Sequence, residues 1–368
     1  LTIDFSQGDN DTLDIVTDFE ARTAGLSADL TLETTGRLVS ADISRAFLEG
    51  RADVSGTARR GDENALIFNV NGKFLDLSEL VGSMLQVGAG GRSAAARVGT
   101  VNLDAEIDQL RLRDGFDMLG ATMSLSSTKD GLQLAEAAGT TQTGAPVSAA
   151  YDASGLGDPS FLVTSGDASF LASVFFGFDA LEAGELEMSG TLARGDLPTQ
   201  IRIGITDGRL KDAPLFTQIL SIASIRGLSD TLSGDGVLFT EIDIPLAITG
   251  QRYNIVGAKA SGPALGMTAN GWVNTESGGI DIDGVLVPSF GINSALGGIP
   301  IIGDLFVSRD GEGVISLRYG VEGTLERAEV SVNPLSAVTP GVLRRIFEDP
   351  ENEDFLQNLN GEAANATE

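Results

Sequence analysis

The chain of 368 residues contains no cysteine and no histidine. Without cysteine it can form no disulfide, zinc–thiolate site or thiol nucleophile, although this absence does not identify a compartment. Without histidine it lacks the usual general base, the Ser-His-Asp triad and histidine metal sites. Most common enzyme sites are therefore excluded, and we expect a protein that is not an enzyme and holds no cofactor or metal.

Basic residues are scarce, since 24 Lys and Arg stand against 52 Asp and Glu, a formal net charge of -28. The lysines are Lys73, Lys129, Lys211 and Lys259. No basic stripe is present that could neutralise phosphates, so we expect no nucleic-acid partner. For the same reason we expect no long-range attraction to anionic lipid headgroups. The acidity keeps the protein soluble.

The sequence also has no uncharged apolar run long enough to cross a bilayer as a helix. It begins at Leu1 in a strand-like pattern, with no basic and apolar leader before it. We interpret the chain as a mature or excised piece of a longer protein and expect any membrane anchor to lie outside it.

What the chain has in abundance is an alternation of apolar and polar residues with period two. In "VNLDAEIDQLRLR" (101–113) the alternating apolar residues are Val101, Leu103, Ala105 and Ile107, and in "TEIDIPLAIT" (240–249) they are Ile242, Ile244, Leu246 and Ile248. In "GIDIDG" Ile280 and Ile282 alternate with aspartates. Such alternation indicates strands with one apolar and one wet face. Asp-Gly pairs at 130, 207, 235 and 310 predict turns between the strands, so the pattern favours an antiparallel meander.

The number of strands restricts the architecture. About 300 residues of strand and turn, at roughly 12 residues per unit, give about 25 strands. An open twisted sheet of more than about ten strands curls, splits or flattens. Two sandwiches, a solenoid and one long curled sheet are all compatible with this count. From the residues alone the fold class we predict is mainly β, with these three arrangements open.

Period two breaks at a few places where helices are expected. Residues 212–232 combine a capping Asp212 with Pro214 and an apolar face at helical spacing. Residues 76–87 predict a shorter helix, and residues 340–348 predict a third that ends before Pro350. Residues 349–368 are acidic and without periodicity, so we expect a disordered tail.

The catalytic and metal-binding motifs that can be tested in the sequence are all incomplete. Gly72-Lys73 lacks the first glycine and the Ser or Thr of a phosphate loop, and "GAGGRS" (88–93) lacks dinucleotide-binding spacing. Asp281 and Asp283 lie on one strand face, as expected for a solvated surface as much as for a carboxylate pair. Residues 9–14 offer oxygen ligands for calcium but lack the glycine bend and the terminal glutamate. A carbohydrate-active β protein remains the weakest hypothesis.

The segment "VLVPSFGINSALGGIPIIGDLF" (285–306) is apolar, interrupted by glycine and proline, and carries one charge, Asp304. One interpretation is a plug that covers the end of the sheet and protects its edge. The other is a surface that contacts a membrane or a partner, together with the predicted helices 212–232 and 340–348. The two interpretations are compatible.

Four ordered blocks resemble one family. They are "GRLKDAPLFTQILSIASIRGLSDTLSGDGVLF" (208–239), "ASGPALGMTANGWVN" (260–274), "GVLVPSFGINSALGGIPIIGDLF" (284–306) and "YGVEGTLERAEVSVNPLSAVTPGVLRRIF" (319–347). They resemble the AsmA-like bacterial envelope proteins, in particular the YhdP-type members with their DUF3971 and AsmA-like C-terminal regions. Residues 1–200 share only the loose, glycine-turned strand pattern of that family.

The resemblance implies a mainly β fold, a long curled antiparallel sheet forming a trough, with a few short helices near the C-terminal end. The resemblance also implies a periplasmic lipid conduit anchored to the inner membrane by a helix outside this chain. A trough would bind phospholipid acyl chains and carry them toward the outer membrane, which the C-terminal end would approach. It divides the chain into a repetitive sheet region (1–200), an AsmA-like C-terminal region (201–348) and the tail. The alternative it leaves open is a structural or assembly factor for outer-membrane proteins, with a sheet edge that accepts client strands.

Two sets of residues follow as candidates. The alternation predicts groove-lining residues, namely Ile242, Ile244, Leu246, Ile248, Ile280 and Ile282. A slip of one residue would turn the opposite face inward. The membrane- or partner-contacting end is predicted to include Phe216, Ile219, Leu296, Ile299, Ile302, Leu343, Ile346 and Phe347.

Overall fold

A computed structural model describes residues 2–8, 12–86, 100–192, 197–222, 234–288 and 314–338. These residues form one sheet of 20 strands, largely antiparallel, and three short α-helices. The prediction of a mainly β protein built on one long sheet is confirmed, and two separate sandwiches are not what these residues form. Neither the predicted helix 340–348 nor the tail 349–368 lies within the described residues.

The strands follow the chain order. In the first half they are β1 (Thr2–Gln7), β2 (Thr12–Glu20), β3 (Ala24–Glu33), β4 (Leu38–Leu48), β5 (Ala52–Arg60), β6 (Leu66–Asp76), β7 (Val101–Arg113), β8 (Phe116–Thr128), β9 (Gly131–Thr140) and β10 (Pro146–Asp152). In the second half they are β11 (Ser160–Ser165), β12 (Leu181–Glu182), β13 (Glu185–Thr191), β14 (Thr199–Leu210), β15 (Val237–Thr249), β16 (Arg252–Ser261), β17 (Leu265–Asn274), β18 (Gly279–Pro288), β19 (Val314–Thr324) and β20 (Arg327–Val338). The helices are α1 (Ser78–Gln86), α2 (Ala168–Phe176) and α3 (Pro214–Ile222).

Each strand pairs with its neighbours in the chain. The ladder runs from β1 to β11, continues from β11 to β13, and then runs in order to β20. The two-residue β12 pairs with the end of β14. β14 itself spans residue 200 and bonds to strands on both sides, so the sheet continues across the boundary drawn between the two sequence regions.

The predicted antiparallel meander is confirmed for most of the sheet, and one strand pair of the described residues departs from it by being parallel. β6 and β7 run in the same direction, with Phe68 opposite Leu103 and Val70 opposite Ala105. A parallel pair needs a long crossover, because the chain must return to the edge where the first strand began. Residues 77–100 make that return, and α1 is its first part.

Local sequence explains where the helices begin and end. α1 lies within the predicted 76–87, and the Asp76 carboxylate accepts hydrogen bonds from the Ser78 backbone N–H at 2.9 Å and from the Ser78 hydroxyl. α3 occupies the first part of the predicted 212–232, and residues 223–233 are not among those described. α2 was missed by the sequence analysis. Asp167 caps it, and Gly177 ends it in the left-handed conformation (φ 60°).

Two further predictions concern turns. Asp207-Gly208 is not a turn, because both residues lie inside β14, where Asp207 has φ 53°. Asp130 and Asp235 do precede strands at turns, and Asp310-Gly311 lies outside the described residues.

Candidate functional site

Register assigns every paired strand residue to one of two sheet faces, because directly opposed residues project to the same side. We call the face that carries Phe5 the apolar face. A row of opposed residues crosses the whole sheet on it, one from every strand except β12, and none is charged. The row is Phe5, Ile15, Leu30, Ala41, Ala58, Phe68, Leu103, Leu125, Ala135, Tyr151, Phe161, Gly190, Ile201, Leu246, Ile255, Gly271, Ile282, Val321 and Val330.

The opposite side, which we call the polar face, has a different composition. Its adjoining row from β1 to β9 is Asp4, Val16, Asp29, Asp42, Thr57, Asn69, Asp104, Ser124 and Glu136. Carboxylates recur along this row and are absent from the first. In these two rows, negative charge is therefore confined to the polar face.

All six predicted groove-lining residues lie on the apolar face. Leu246 connects to Ile282 through Ile255 and Gly271, and Ile248 connects to Ile280 through Tyr253 and Val273. Ile248 and Ile280 are buried, whereas Ile242, Ile244, Leu246 and Ile282 are half-buried. The structure therefore brings these residues together, and their role in lining a groove stays a prediction.

A one-residue bulge in β16 keeps this face continuous. Between Ile255 and Ala258 the strand has one more residue than its neighbours β15 and β17. Gly257 takes a left-handed φ of 71° there, and its backbone N–H donates to the Asn270 Oδ1 at 2.7 Å. The bulge restores the alternation, so Ile255 and Ala258 both lie on the apolar face although they are three residues apart.

Sequence reasoning missed most of this surface, because it took lining residues from two strands only. Ile201, Ile203 and Ile205 of β14 lie directly opposite Leu246, Ile244 and Ile242. The same signal, alternation in "QIRIGI", was present in the sequence and identifies this strand equally well. Strands β1–β5 add a further part of the face that their weaker alternation did not single out.

The apolar face is most exposed at its N-terminal end. Phe5 is 65% exposed and Ile3 46%, and Leu13, Phe19, Leu26 and Leu48 are exposed by a third to a half. These large apolar side chains cover one another incompletely, and no described helix packs on them. From β5 onward the apolar residues form two clusters with the helices. The face thus has an open part and a covered part.

The two long edges of the sheet differ. At the edge where β6 ends, which we call the helix edge, the chain connects strands through α1, α2 and α3. β18 also ends and β19 begins at this edge, so the apolar segment 289–313, which is not among the described residues, joins two strands there. At the opposite edge, which we call the turn edge, the described connections are turns and short loops, such as Lys129–Asp130, Gly250–Gln251 and Leu325–Glu326.

The helices fold from the helix edge onto the apolar face. α2 buries Ala168, Phe170, Leu171 and Val174, and the Phe170 ring meets that of Phe116 on β8 at 6.1 Å between centroids. The Arg113 guanidinium donates to the Ser173 carbonyl and holds the C-terminal half of α2. The depression beside α2, about 500 Å³, includes three carboxylates, those of Asp167, Asp179 and Glu182.

α3 carries two of the predicted end residues. Phe216 (6% exposed) and Ile219 (5%) face the sheet, and the Phe216 ring lies 6.2 Å from that of Phe239 on β15. This placement agrees with the plug interpretation, and contact with a membrane or partner stays a prediction. Leu296, Ile299, Ile302, Leu343, Ile346 and Phe347 lie outside the described residues.

Ion pairs between adjacent strands tie the polar face together. Arg45 binds Asp53 through two nitrogens at 3.0 and 3.2 Å, and Arg202 binds Asp243 in the same way at 2.7 and 2.9 Å. The hydrogen bond from Arg45 lowers the pKa of Asp53 below its ordinary value. The hydrogen bond from Asp243 raises the pKa of Arg202. Each shift favours the charged form of the group, the Asp53 carboxylate and the Arg202 guanidinium.

Among the described residues no cluster of three or more acidic side chains is arranged to hold a metal ion. No helix in the described ranges is long and apolar enough to cross a membrane. Comparison with protein-family models, with curated proteins and with solved structures finds no match to this chain.

Proposed function

We propose that this protein is a non-enzymatic lipid conduit that binds phospholipid acyl chains against its apolar face. One observation carries the proposal: the row from Phe5 to Val330 crosses the sheet without a charged residue. The row crosses more strands than a small ligand needs. Its length suits lipid molecules that move along the sheet from strand to strand. The resemblance to AsmA-like envelope proteins points to the same function.

The face can bind lipid because moving an acyl chain out of water is favourable. An acyl chain exposed to water costs about 0.8 kcal/mol per CH₂, or roughly 12 kcal/mol for sixteen carbons. Half-buried apolar side chains on the face can accept such a chain and remove most of that cost. The carboxylates of the polar face keep the outside of the body hydrated. No bond is made or broken, so no catalytic group is required.

We propose that the sheet curls with the apolar face inside, which makes a groove. An open twisted sheet of this many strands is expected to curl, split or flatten. α3 packs against Phe239 on β15 and also contacts β20, five strands further on. In a flat sheet these strands would lie about 24 Å apart, whereas a helix of nine residues is about 13 Å long. Curvature brings both strands within reach of one short helix.

Cell location follows from the resemblance. We propose that the protein works in the periplasm, held to the inner membrane by an anchor outside this chain, and carries phospholipid between inner and outer membrane. In that arrangement the helix edge of the C-terminal strands is the part nearest the outer membrane or a partner.

The test is native mass spectrometry with lipid extraction on the chain secreted to a bacterial periplasm and purified without detergent. We expect co-purified phospholipid that falls several-fold in Ile244→Asp and Leu246→Asp. The matched control is Gln200→Asp, which adds the same charge on the polar face of the neighbouring strand. Thermal unfolding establishes that each variant is folded. Since Ile244 lies in a packed region, Phe5→Asp at the 65% exposed position provides a variant that leaves the core intact.

A folded chain that carries no lipid, or lipid that is unaffected by all three apolar-face variants, would contradict the proposal. The apolar face would then be an ordinary packing surface.

One observation favours the alternative of an assembly factor. Among the described residues β1 pairs only with β2, and all six of its residues are exposed. Such an edge can accept an added strand from a client. Proline substitutions in β1 would then abolish client capture and leave the lipid content unchanged, whereas a conduit would lose lipid in the apolar-face variants alone.

A further inference from the structure

Two of the three tyrosines mark one boundary of the apolar face. Tyr151 lies one residue from the end of β10, and Tyr253 one residue from the start of β16. Both positions are at the turn edge, both side chains are on the apolar face, and both are half-buried. Tyrosine suits a position where an apolar body meets a polar environment, because its ring packs and its hydroxyl binds water or a headgroup. The turn edge is therefore where the apolar face meets polar surroundings.

From β5 onward the helix edge cannot serve in the same way, because its helices close over the apolar face. Among the described residues Arg22 and Arg209 at this edge form no ion pair with a carboxylate, but its other cations are engaged. Arg51 pairs with Asp76 and Glu79, Arg113 with Asp179, and Lys211 with Glu182. Further carboxylates, Asp114, Glu185, Asp212 and Asp235, lie in the same connections. A phosphate at this edge would meet mainly negative charge.

The turn edge presents cations that no described carboxylate neutralises. Among the described residues no ion pair joins Lys129, Arg252 or Arg327 to an acidic side chain. Lys129 and Arg327 are exposed and stand next to Asp130 and Glu326 in their turns. Arg252 stacks on Trp272, with the guanidinium carbon 4.3 Å from the ring centroid, and lies opposite Asn274, two residues before Glu276.

This pattern of one cation beside one carboxylate complements a dipolar group. A phosphate fits the cation and an ammonium fits the carboxylate of the same turn. A headgroup with a phosphate alone meets the carboxylates as well, within a Debye length of about 8 Å at physiological salt. The overall charge of -28 adds to that repulsion.

We propose that lipids on the apolar face place their headgroups at the turn edge, and that the protein prefers zwitterionic, amine-bearing phospholipids to anionic ones. This inference rests on the proposed function, since it requires that the face binds lipid. It identifies the class of lipid and the side of the sheet from which the headgroup protrudes.

The experiment incubates the full chain with phosphatidylethanolamine and phosphatidylglycerol of identical acyl chains in equal amounts. Native mass spectrometry then gives the lipid bound per protein and the ratio of the two headgroups. At about 0.15 M salt we expect the zwitterionic lipid to be enriched at least about threefold. In volatile salt near 1 M, where the Debye length is about 3 Å, we expect the enrichment to shrink toward one.

Reversing the charge of cations at the turn edge tests whether the lipid headgroup lies there. Lys129→Glu combined with Arg327→Glu is expected to lower the amount of bound lipid about threefold or more. The matched control, Arg22→Glu with Arg51→Glu at the helix edge, changes the charge equally and is expected to leave it unchanged. Lys129, Arg327 and Arg22 are exposed and form no ion pair among the described residues, so circular dichroism and thermal unfolding of variants at these positions should match the parent chain. Because Arg51→Glu also removes the pairs with Asp76 and Glu79, Arg22→Glu alone is compared with Lys129→Glu alone as a second control.

The outcomes separate the two proposals. Bound lipid with a ratio near one, or with the anionic lipid enriched, overturns the headgroup preference and leaves the conduit standing. An equal response of both charge-reversal pairs overturns the assignment of the turn edge. A folded chain that binds neither lipid overturns the proposed function and this inference with it.

Discussion

The Tyr319 hydroxyl donates a hydrogen bond to the Thr268 backbone oxygen at 2.7 Å, across the whole width of β18. Tyr319 belongs to β19 and Thr268 to β17, and Gly284 of β18 lies between them. The ring occupies the space that a side chain at Gly284 would fill, so a tyrosine and a glycine together form one packed unit on the apolar face. Three strands are thereby joined by a side chain in addition to their ladders.

Replacement of Tyr319 by Phe should cost about 1 kcal/mol of unfolding free energy at neutral pH, because a buried carbonyl loses its donor. The substitution should also change how the unfolding free energy depends on pH above 10. Burial raises the pKa of Tyr319 above its ordinary value of 10.0. The folded state therefore keeps the phenol protonated, and the associated stability is present below pH 10 and lost as the pH rises beyond it.

Urea unfolding of the parent and the Phe variant at pH 8 and near pH 11 measures both effects. We expect the difference in stability between the two proteins to become smaller at the higher pH. A difference that stays constant or grows would show that Tyr319 does not govern the alkaline response.

Gly284→Ala should be among the most destabilising small substitutions in the sheet. A Cβ at this position would lie 1.9 Å from the Thr268 oxygen and 2.7 Å from the Tyr319 hydroxyl. We expect a loss of about 1–3 kcal/mol or more, since the backbone of β17 must move. Gly320→Ala is the control, because its Cβ meets only the flexible Ser331 hydroxyl at 3.0 Å. Equal losses in urea unfolding would contradict this account.

The cap of α2 offers a third prediction. The Asp167 carboxylate accepts the Ser169 backbone N–H at 3.1 Å and closes the first turn of the helix. Asp167→Ala should cost about 1 kcal/mol and Asp167→Asn less, since an amide oxygen can also cap. Asp158→Ala, an exposed aspartate in a turn-edge loop, is the control. Amide exchange within 168–176 should accelerate in the Ala variant alone.

We expect acid to lower the unfolding free energy by disrupting ion pairs on the polar face. The pKa of Asp53 is lowered by the hydrogen bond from Arg45, so the stability from this pair is present above pH 3.8 and lost as the pH falls through the folded-state value. Asp53→Asn should make the unfolding free energy slightly less sensitive to pH between 5 and 2. The effect is small because the pair is exposed and screened. An unchanged pH profile would mean that the pair contributes nothing.

Alternation predicted most of the sheet, because period two is a direct consequence of strand geometry and was strong in β7, β15 and β18. It could not predict that β6 and β7 are parallel, since both directions place Phe68 and Leu103 on the same face. α2 was missed because "ASFLASVFF" is apolar apart from Ser169 and Ser173, so it resembles a buried strand as much as a helix. Asp207-Gly208 carried a turn signal that the surrounding ladder overrides.

The existence of an apolar sheet face could be predicted from the sequence, but its full extent could not. Lining residues could be chosen only where alternation was clear, whereas the continuity of the face depends on pairing between strands. The bulge at Gly257 shifts the alternation by one residue, and neither its position nor its effect is visible in the sequence. Burial of Phe216 and Ile219 depends on where α3 folds, which local sequence does not determine.

Strand pairing in chain order has a consequence for how such a protein can change in length over evolution. Duplication or loss of one hairpin adds or removes two strands, so the apolar face and the placement of the helices at one edge are both retained. Loss of a single strand would move every later helix to the opposite edge, unless a parallel crossover such as that between β6 and β7 compensated for it. The sheet can therefore be lengthened or shortened in steps of two strands without a change in the edge that carries the helices.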